Sequence, residues 1–184
     1  MFIQTEATPN PATLKFLPGL PVMARGAAEF KSADQAARSP LAKMLFTIDG
    51  VDSVFFGSDF VSVTKSDALD WALLKTHILG ALMQHFMTGL PIIEESDAHG
   101  HATTADLNSK IVKQIIELLD TRVRPAVAND GGDITFVDFQ DGVVYLQMRG
   151  ACSGCPGPSM PRKSGIETML KHYVPEVVRV EAVE

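Results

Sequence analysis

A polar stretch at residues 94–106, EESDAHGHATTAD, separates two long segments that each carry helical and strand patterns. The stretch has one glycine and no apolar periodicity, which is typical of an interdomain linker rather than of a packed element. A chain of 184 residues is long enough for two small domains. We therefore expect a first domain at residues 1–93, a flexible linker at 94–105 and a second domain at 106–184.

The first domain is expected to mix strands with helices. FIQTE, TLKF, VDSVFF and FVSVTK have the apolar alternation of strands, and GSD joins the last two as a hairpin. Ser39, placed before a proline, predicts the start of a helix in SPLAKMLF. A longer helix is expected from a cap at Ser66 or Asp67 to about Met87. Its core-facing stripe would contain Trp71, Leu74, Ile78, Leu82 and Phe86.

The second domain shows the order α-β-β-α-β. A helix is expected from about Thr104 to Val123, and Pro125 should end it. ITFVDF and VVYLQM indicate strands with a hairpin at residues 140–142, and VVRVEAV indicates a last strand. Between them a helix is predicted over residues 163–173. This order predicts an α+β fold rather than a doubly wound parallel sheet.

The charge pattern excludes nucleic acid as an expected partner. The net charge is −6 and no long basic stripe is present, so binding to nucleic acid is not expected.

The apolar pattern and the N-terminus bear on localisation. No apolar run approaches the roughly 20 residues that span a bilayer, so no membrane association is expected. The N-terminus shows neither a secretory signal nor an Arg-rich presequence. We expect a bacterial cytoplasmic protein, although a mature mitochondrial form would look the same.

The cysteines carry the clearest chemistry. Cys152 and Cys155 are the only two in the chain, and they lie between a predicted strand and a predicted helix. Free N–H groups at a helix N-terminus favour the anionic thiolate, and a two-residue spacer lets both sulfurs face one metal centre. Without a secretion signal, such a pair indicates metal binding or catalysis rather than a structural disulfide.

The number of ligands leaves three interpretations open. Structural zinc and iron–sulfur clusters usually require four ligands, and one chain supplies two thiols. A twofold dimer would bring two CxxC pairs together and complete either site. The third interpretation is a thiol–disulfide oxidoreductase with Cys152 as nucleophile, although a thioredoxin-type pair would follow the first strand of a βαβ unit.

Other polar motifs have simpler interpretations. NDGGD at residues 129–133 is typical of a turn rather than of a carboxylate metal site. His77 and His85 should share a helix face but lie eight residues apart, about 12 Å along the axis, too far to bind one ion. His99 and His101, in the linker, are expected to be solvated.

Two sets of motifs resemble one family. GACSGCP ahead of GIETML, with NDGGDI upstream and YVPEVVRVEAV downstream, resembles the NifU C-terminal domain. TEATPNPATLKFLPG, SPLAKMLF and GVDSVFFGSDFVSVTK are similar to the N-terminal domain of Nfu proteins. Together they cover nearly the whole chain. After CxxCP the sequence departs from the family pattern, because Arg162 stands where leucine is usual and Pro161 removes a backbone donor. The helix is therefore expected to begin a turn late.

The resemblance implies an iron–sulfur cluster scaffold or carrier without enzymatic turnover. In that family two protomers bridge a [4Fe-4S] cluster through their CxxC pairs and pass it to apo-proteins. Cys152 and Cys155 occupy the matching positions and would be the ligands. The implied partners are a second copy of the chain, upstream assembly proteins as donors, and apo iron–sulfur proteins as acceptors.

Overall fold

The computed structural model describes residues 2–24, 26–94, 110–151 and 160–183, with side chains from Lys163 onward in the last range. The chain divides into two compact units, Met1–Ala98 and His99–Glu184. Both combine helices with sheet, which confirms the α+β class. The domain boundaries at 93 and 106 stay predictions, and the linker beyond Glu94 lies outside the described residues. Among the described helices, none combines the length and apolar character that a membrane crossing requires.

Within the described residues the first unit forms a five-stranded antiparallel sheet. Its strands are β1 (Gln4–Ala7), β2 (Thr13–Leu17), β3 (Ala28–Phe30), β4 (Val51–Phe56) and β5 (Val61–Lys65), in the order β1-β2-β5-β4-β3. The predicted β4–β5 hairpin is confirmed by the hydrogen bond from the Gly57 N–H to the Phe60 carbonyl at 2.9 Å. The strand β3 is not predicted from the sequence, because three residues are too few to show an alternating pattern.

The first helix, α1 (Pro40–Phe46), begins where the serine–proline pair predicts. The Oγ of Ser39 accepts a hydrogen bond from the Ala42 N–H at 3.0 Å and donates one to the Ile92 carbonyl at 2.5 Å. Pro40 stands in the first turn, where its missing N–H leaves no intrahelical bond unmade. The cap therefore also ties the helix to the end of the unit.

The second helix, α2 (Trp71–Thr88), begins later than predicted, with Asp70 as its N-cap residue. The predicted cap at Ser66 or Asp67 is wrong, because the Ser66 N–H donates to the Gly50 carbonyl at 2.8 Å and keeps the chain tied beyond β5. The core-facing stripe is confirmed: Leu74, Ile78 and Leu82 are buried, and Trp71 and Phe86 pack against the core.

The second unit contains a three-stranded sheet within the described residues. The strands β6 (Gly132–Gln140) and β7 (Val143–Gly150) pair antiparallel, and β8 (Arg179–Val183) pairs with β7 in parallel. A parallel neighbour requires a crossover connection, which α5 (Met160–Tyr173) supplies. With α3 (Lys110–Leu118) ahead of the strands, the predicted order α-β-β-α-β is confirmed.

The β6–β7 hairpin turns through Asp141 and Gly142, whose φ angles are 49° and 78°. Two left-handed residues match the right-handed twist of the flanking strands. The register shifts by one residue between Phe136 and Asp138. This bulge lets Phe136 and Phe139, which would point to opposite faces of a regular strand, both pack against the core.

The helical segment before β6 does not end at Pro125. It continues from α3 through a π-helical turn (Leu119–Val123) into α4 (Arg124–Asn129). The expected end at this proline is therefore wrong. The Arg124 N–H donates to the Leu119 carbonyl, five residues back, and Pro125 enters the first turn of α4, where its missing N–H is tolerated.

The helix after the cysteines also differs from expectation. It begins at Met160 rather than near Lys163, so Pro161 lies in its first turn instead of delaying it. A proline fits there because the first backbone N–H groups of a helix have no intrahelical partner.

His85 is a buried polar side chain on the core side of α2, with no exposed surface (0%). Neither ring nitrogen has a hydrogen-bond partner within the described residues. Burial lowers the pKa of His85, and the nearby Leu90 backbone offsets only part of this effect. The folded unit therefore holds His85 as a neutral ring.

We predict that the first unit loses stability in mild acid. Because the pKa of His85 is lower in the folded state, stability is complete above the unfolded value near 6.5 and falls as the pH drops through it. Thermal unfolding followed by fluorescence of Trp71, the one tryptophan in the chain, measures this between pH 5 and 8. His85→Leu should flatten the profile, whereas His77→Gln, at an exposed position of α2, should preserve it. Equal pH profiles for the wild type and His85→Leu would contradict the prediction.

Candidate functional site

The cysteine pair lies in the segment between Ala151 and Met160. Cys152 and Cys155 are outside the described residues, so their assignment as ligands stays a prediction. The structure describes both places where this segment joins the fold: the end of β7 and the beginning of α5.

The segment leaves the fold from a paired strand end. Gly150 is opposite Gly132 in the β6–β7 register, and the Ala151 N–H donates to the Gly131 carbonyl at 3.2 Å. Gly131 and Gly150 have φ angles of 79° and 67°, a conformation that side chains disfavour. Hydrogen bonding of the sheet thus reaches Ala151, the residue before Cys152.

An ion pair stabilises the same strand end. Arg124 donates from Nε to Asp133 Oδ1 at 2.9 Å and from Nη2 to Oδ2 at 3.0 Å. Its Nη1 donates to Asp120 Oδ1 at 3.1 Å. The hydrogen bond with Asp133 is the largest cause that raises the pKa of Arg124, so the guanidinium stays charged. The Asp133 side chain is 9% exposed, and both of its oxygens are engaged by this one arginine.

The other end of the segment is tied to β8. Lys163, in the first turns of α5, contacts Glu181 Oε2 at 2.8 Å, and the hydrogen bond from Lys163 is the main cause that lowers the pKa of Glu181. One turn later, Glu167 accepts the Val180 N–H at 3.1 Å. Hydrogen bonds from Lys171 and Val180 lower the pKa of Glu167. Both carboxylates thus favour the charged form that these contacts require.

No second metal site emerges from the described residues, where no group of three or more His, Cys, Asp or Glu side chains could hold a metal ion. His77 is exposed and His85 is buried, so the expectation that they share a helix face is wrong. His99 and His101 lie outside the described residues. Cys152 and Cys155 therefore stay the predicted metal ligands.

The NDGGD motif has two parts in the structure. Asp130 and Gly131 form the predicted turn, with N–H bonds to the carbonyls of Val127 and Ala128 at 3.1 and 3.0 Å. Gly132 and Asp133 instead belong to β6. The pairing of Asp133 with Arg124 is not predicted from the sequence. The sequence shows only an arginine before a proline and an acidic residue nine positions later, and neither pattern is specific for an ion pair.

Two family descriptions match the chain in series. "Scaffold protein Nfu/NifU N terminal" matches residues 3–89, and "NifU-like domain" matches residues 115–181. A human protein named "NFU1 iron-sulfur cluster scaffold homolog, mitochondrial" is 48% identical over 184 residues, which is 100% of this chain and 72% of that protein.

The chain belongs to the Nfu/NifU family. The resemblance inferred from the motifs is therefore confirmed.

Another Nfu/NifU relative, "NifU-like protein 4, mitochondrial" of Arabidopsis thaliana, is 53% identical over 185 residues. The match covers 98% of this chain and 65% of that protein, so the chain spans about two thirds of its relative's length. A solution NMR structure of a NifU-like protein from Saccharomyces cerevisiae is 28% identical. It matches 52% of this chain and 87% of its own, with a TM-score of 0.48.

We predict opposite effects for two glycine substitutions in the second unit of this Nfu/NifU chain. Gly131→Ala should destabilise the unit by about 1–2 kcal/mol, because a side chain is strained at a φ of 79°. Gly165→Ala should stabilise it by up to about 1 kcal/mol, because Gly165 lies within α5 and an added Cβ meets no atom within 4 Å.

Urea unfolding followed by circular dichroism measures both changes. Trp71 fluorescence, which follows the first unit, should stay unchanged in both variants. A Gly131→Ala variant as stable as the wild type would contradict the assignment of strain to this turn.

Proposed function

We propose that the chain is an iron–sulfur cluster scaffold and carrier. It would bind a [4Fe-4S] cluster between two protomers through Cys152 and Cys155 of each and pass it to apo-proteins. One observation carries the proposal: the chain has two thiols, on a segment tied to the fold at both ends, and the described residues offer no additional metal-binding group. The name of the human relative, which refers to an iron–sulfur cluster scaffold, supports it.

The shortage of ligands supports a shared cluster. Iron–sulfur clusters are usually held by four cysteine thiolates, and each chain supplies two. A twofold axis presents the same surface from each protomer, so two CxxC pairs meet and complete the set. The cluster is then cargo at a seam between subunits rather than a resident cofactor enclosed by one chain.

Transfer follows from exchange of ligands. Each step breaks one iron–sulfur bond to Cys152 or Cys155 and forms one to an acceptor cysteine. The proton of the acceptor thiol moves to the released cysteine, and no electron is transferred. Solvent access and hydrogen bonds around the sulfurs set how easily a ligand leaves. The chain turns over no substrate of its own, so we propose a carrier rather than an enzyme.

The partners follow from this role. A second copy of the chain completes the site, upstream assembly proteins supply the cluster, and apo iron–sulfur proteins receive it. The relatives named above are mitochondrial by name. The expectation of a bacterial cytoplasm stays a prediction, and the mitochondrial alternative agrees with those names. Both compartments keep thiols reduced, which the ligand role requires.

We predict that anaerobic reconstitution gives a brown dimer with about two irons per chain, since one four-iron cluster is shared between two chains. Cys155→Ala should abolish the bound iron and the shift to dimer. Ser153→Ala, which leaves both thiols in place, is the matched control and should bind normally. Iron and sulfide analysis with light scattering provides the measurement.

The same experiment separates the alternatives. Zinc in place of iron in protein purified without oxygen would favour a structural dimer. Insulin reduction by metal-free protein at a thioredoxin-like rate would favour an oxidoreductase. Full cluster occupancy in Cys155→Ala would overturn the ligand assignment.

A further inference from the structure

We infer that Arg124 and Asp133 are positioning residues for the cysteine segment: their two-pronged ion pair fixes the strand end from which Cys152 and Cys155 leave the fold. The inference rests on the proposed function, since it concerns how the chain holds the two ligands in place. It adds a role for two residues that are far from both cysteines in the sequence.

The geometry of the Arg124–Asp133 ion pair fixes the orientation of both side chains. Two parallel hydrogen bonds, at 2.9 and 3.0 Å, join the guanidinium to both oxygens of Asp133. A two-pronged contact fixes orientation as well as distance, which one hydrogen bond does not. The third contact, to Asp120 at 3.1 Å, holds the outer side of the same guanidinium. The Arg124 guanidinium is thus held by contacts on two sides, to Asp133 and to Asp120.

The helical segment ahead of β6 determines the position of Arg124. It follows the π-helical turn at Leu119–Val123, and its own N–H donates to the Leu119 carbonyl. Leu119 and Val123 are buried, so the turn is anchored in the core. A π-helical turn is rare and often marks a functional site. The π-helical turn and Pro125 together orient the Arg124 side chain toward Asp133 on β6.

The β6–β7 register links the ion pair to the strand end. Asp133 is opposite Arg149 in the β6–β7 register, Gly132 is opposite Gly150, and Gly131 accepts the Ala151 N–H. These consecutive pairings run from the ion pair to the residue before Cys152. Because the hairpin ends there, fraying would begin at Ala151 and move inward. The ion pair lies where it would stop this fraying.

Fixing the strand end concerns how the cysteine ligands are held. A ligand set works only when each ligand is held close to its productive position, within about 0.5 Å. When two CxxC pairs meet across a twofold axis, any displacement of one pair is repeated in the other. A strand end that opens would therefore weaken the hold on the cluster in both protomers.

The test uses Arg124→Lys in the full chain. Lysine keeps the charge and loses the two-pronged contact, so the unit should fold while the strand end opens more often. In the apo protein, hydrogen exchange at the Ala151 amide should accelerate about tenfold, as expected for the loss of one charged hydrogen bond. Exchange at Leu146, in the middle of β7, should change less than twofold. In the reconstituted dimer, loss of the cluster to a chelator should accelerate by a similar factor.

Two further variants make the outcome decisive. Lys171→Gln removes a single-contact ion pair with Glu167, at 2.6 Å near the other end of α5, and should leave Ala151 exchange and cluster loss unchanged. Asp120→Asn removes only the negative charge from the outer contact of Arg124 and should accelerate both by about twofold. Because Asp120 is half exposed, this variant gives a result even if Arg124→Lys fails to fold.

The outcomes separate the inference from the proposed function. Exchange at Ala151 that stays unchanged in Arg124→Lys and Asp120→Asn, or that rises in step with Leu146, would overturn the inference. A wild-type chain that takes up no cluster would overturn the proposed function instead. The exchange measurement on the apo protein would then decide the inference by itself.

Discussion

The register of the β6–β7 hairpin is the constraint on which the second unit depends. A slip of one residue would turn every core side chain of one strand to the opposite face. The Asp141–Gly142 turn fixes the register at one end, and pairing of Gly132 with Gly150 closes the other. The bulge after Phe136 keeps both phenylalanines of β6 on the core. Because β8 pairs with β7, the same register also sets the last strand.

This constraint connects the core to the chemistry. The hairpin ends one residue before the first cysteine, and the following helix returns to β8 through Lys163 and Glu181. The two cysteines therefore lie in a short stretch of sequence between two described elements, β7 and α5. Within the described residues, no group of three or more His, Cys, Asp or Glu side chains could hold a metal ion.

The first unit depends on a different kind of contact. A single buried serine caps α1 and bonds the Ile92 carbonyl, while His85 lies in the core without a hydrogen-bond partner among the described residues. The Ser39 hydroxyl makes two hydrogen bonds. Burial lowers the pKa of His85 and so favours its neutral ring, which is less costly to bury than a charged one.

Features that depend on neighbours in the chain could be predicted from the sequence. The Ser39–Pro40 start of α1, the Asp–Gly turn, the α-β-β-α-β order and the stripe on α2 each rest on local preferences within a few residues. The local rules failed at two places for different reasons. Ser66 does not cap α2 because its N–H donates to the carbonyl of Gly50, a residue distant in the chain. The helical segment passes Pro125 because the Arg124 N–H donates to the Leu119 carbonyl five residues back, in a π-helical turn that the rules for helix ends do not include.

The sequence by itself determined the two α+β units and the number of cysteines, two per chain. Both follow from local patterns and from counting residue types. Only the tertiary structure decided that β8 lies parallel to β7, that His85 is buried, and that Arg124 forms an ion pair with Asp133. The physical reason is that each of these contacts joins groups brought together by packing and register. Short-range propensities do not specify either one.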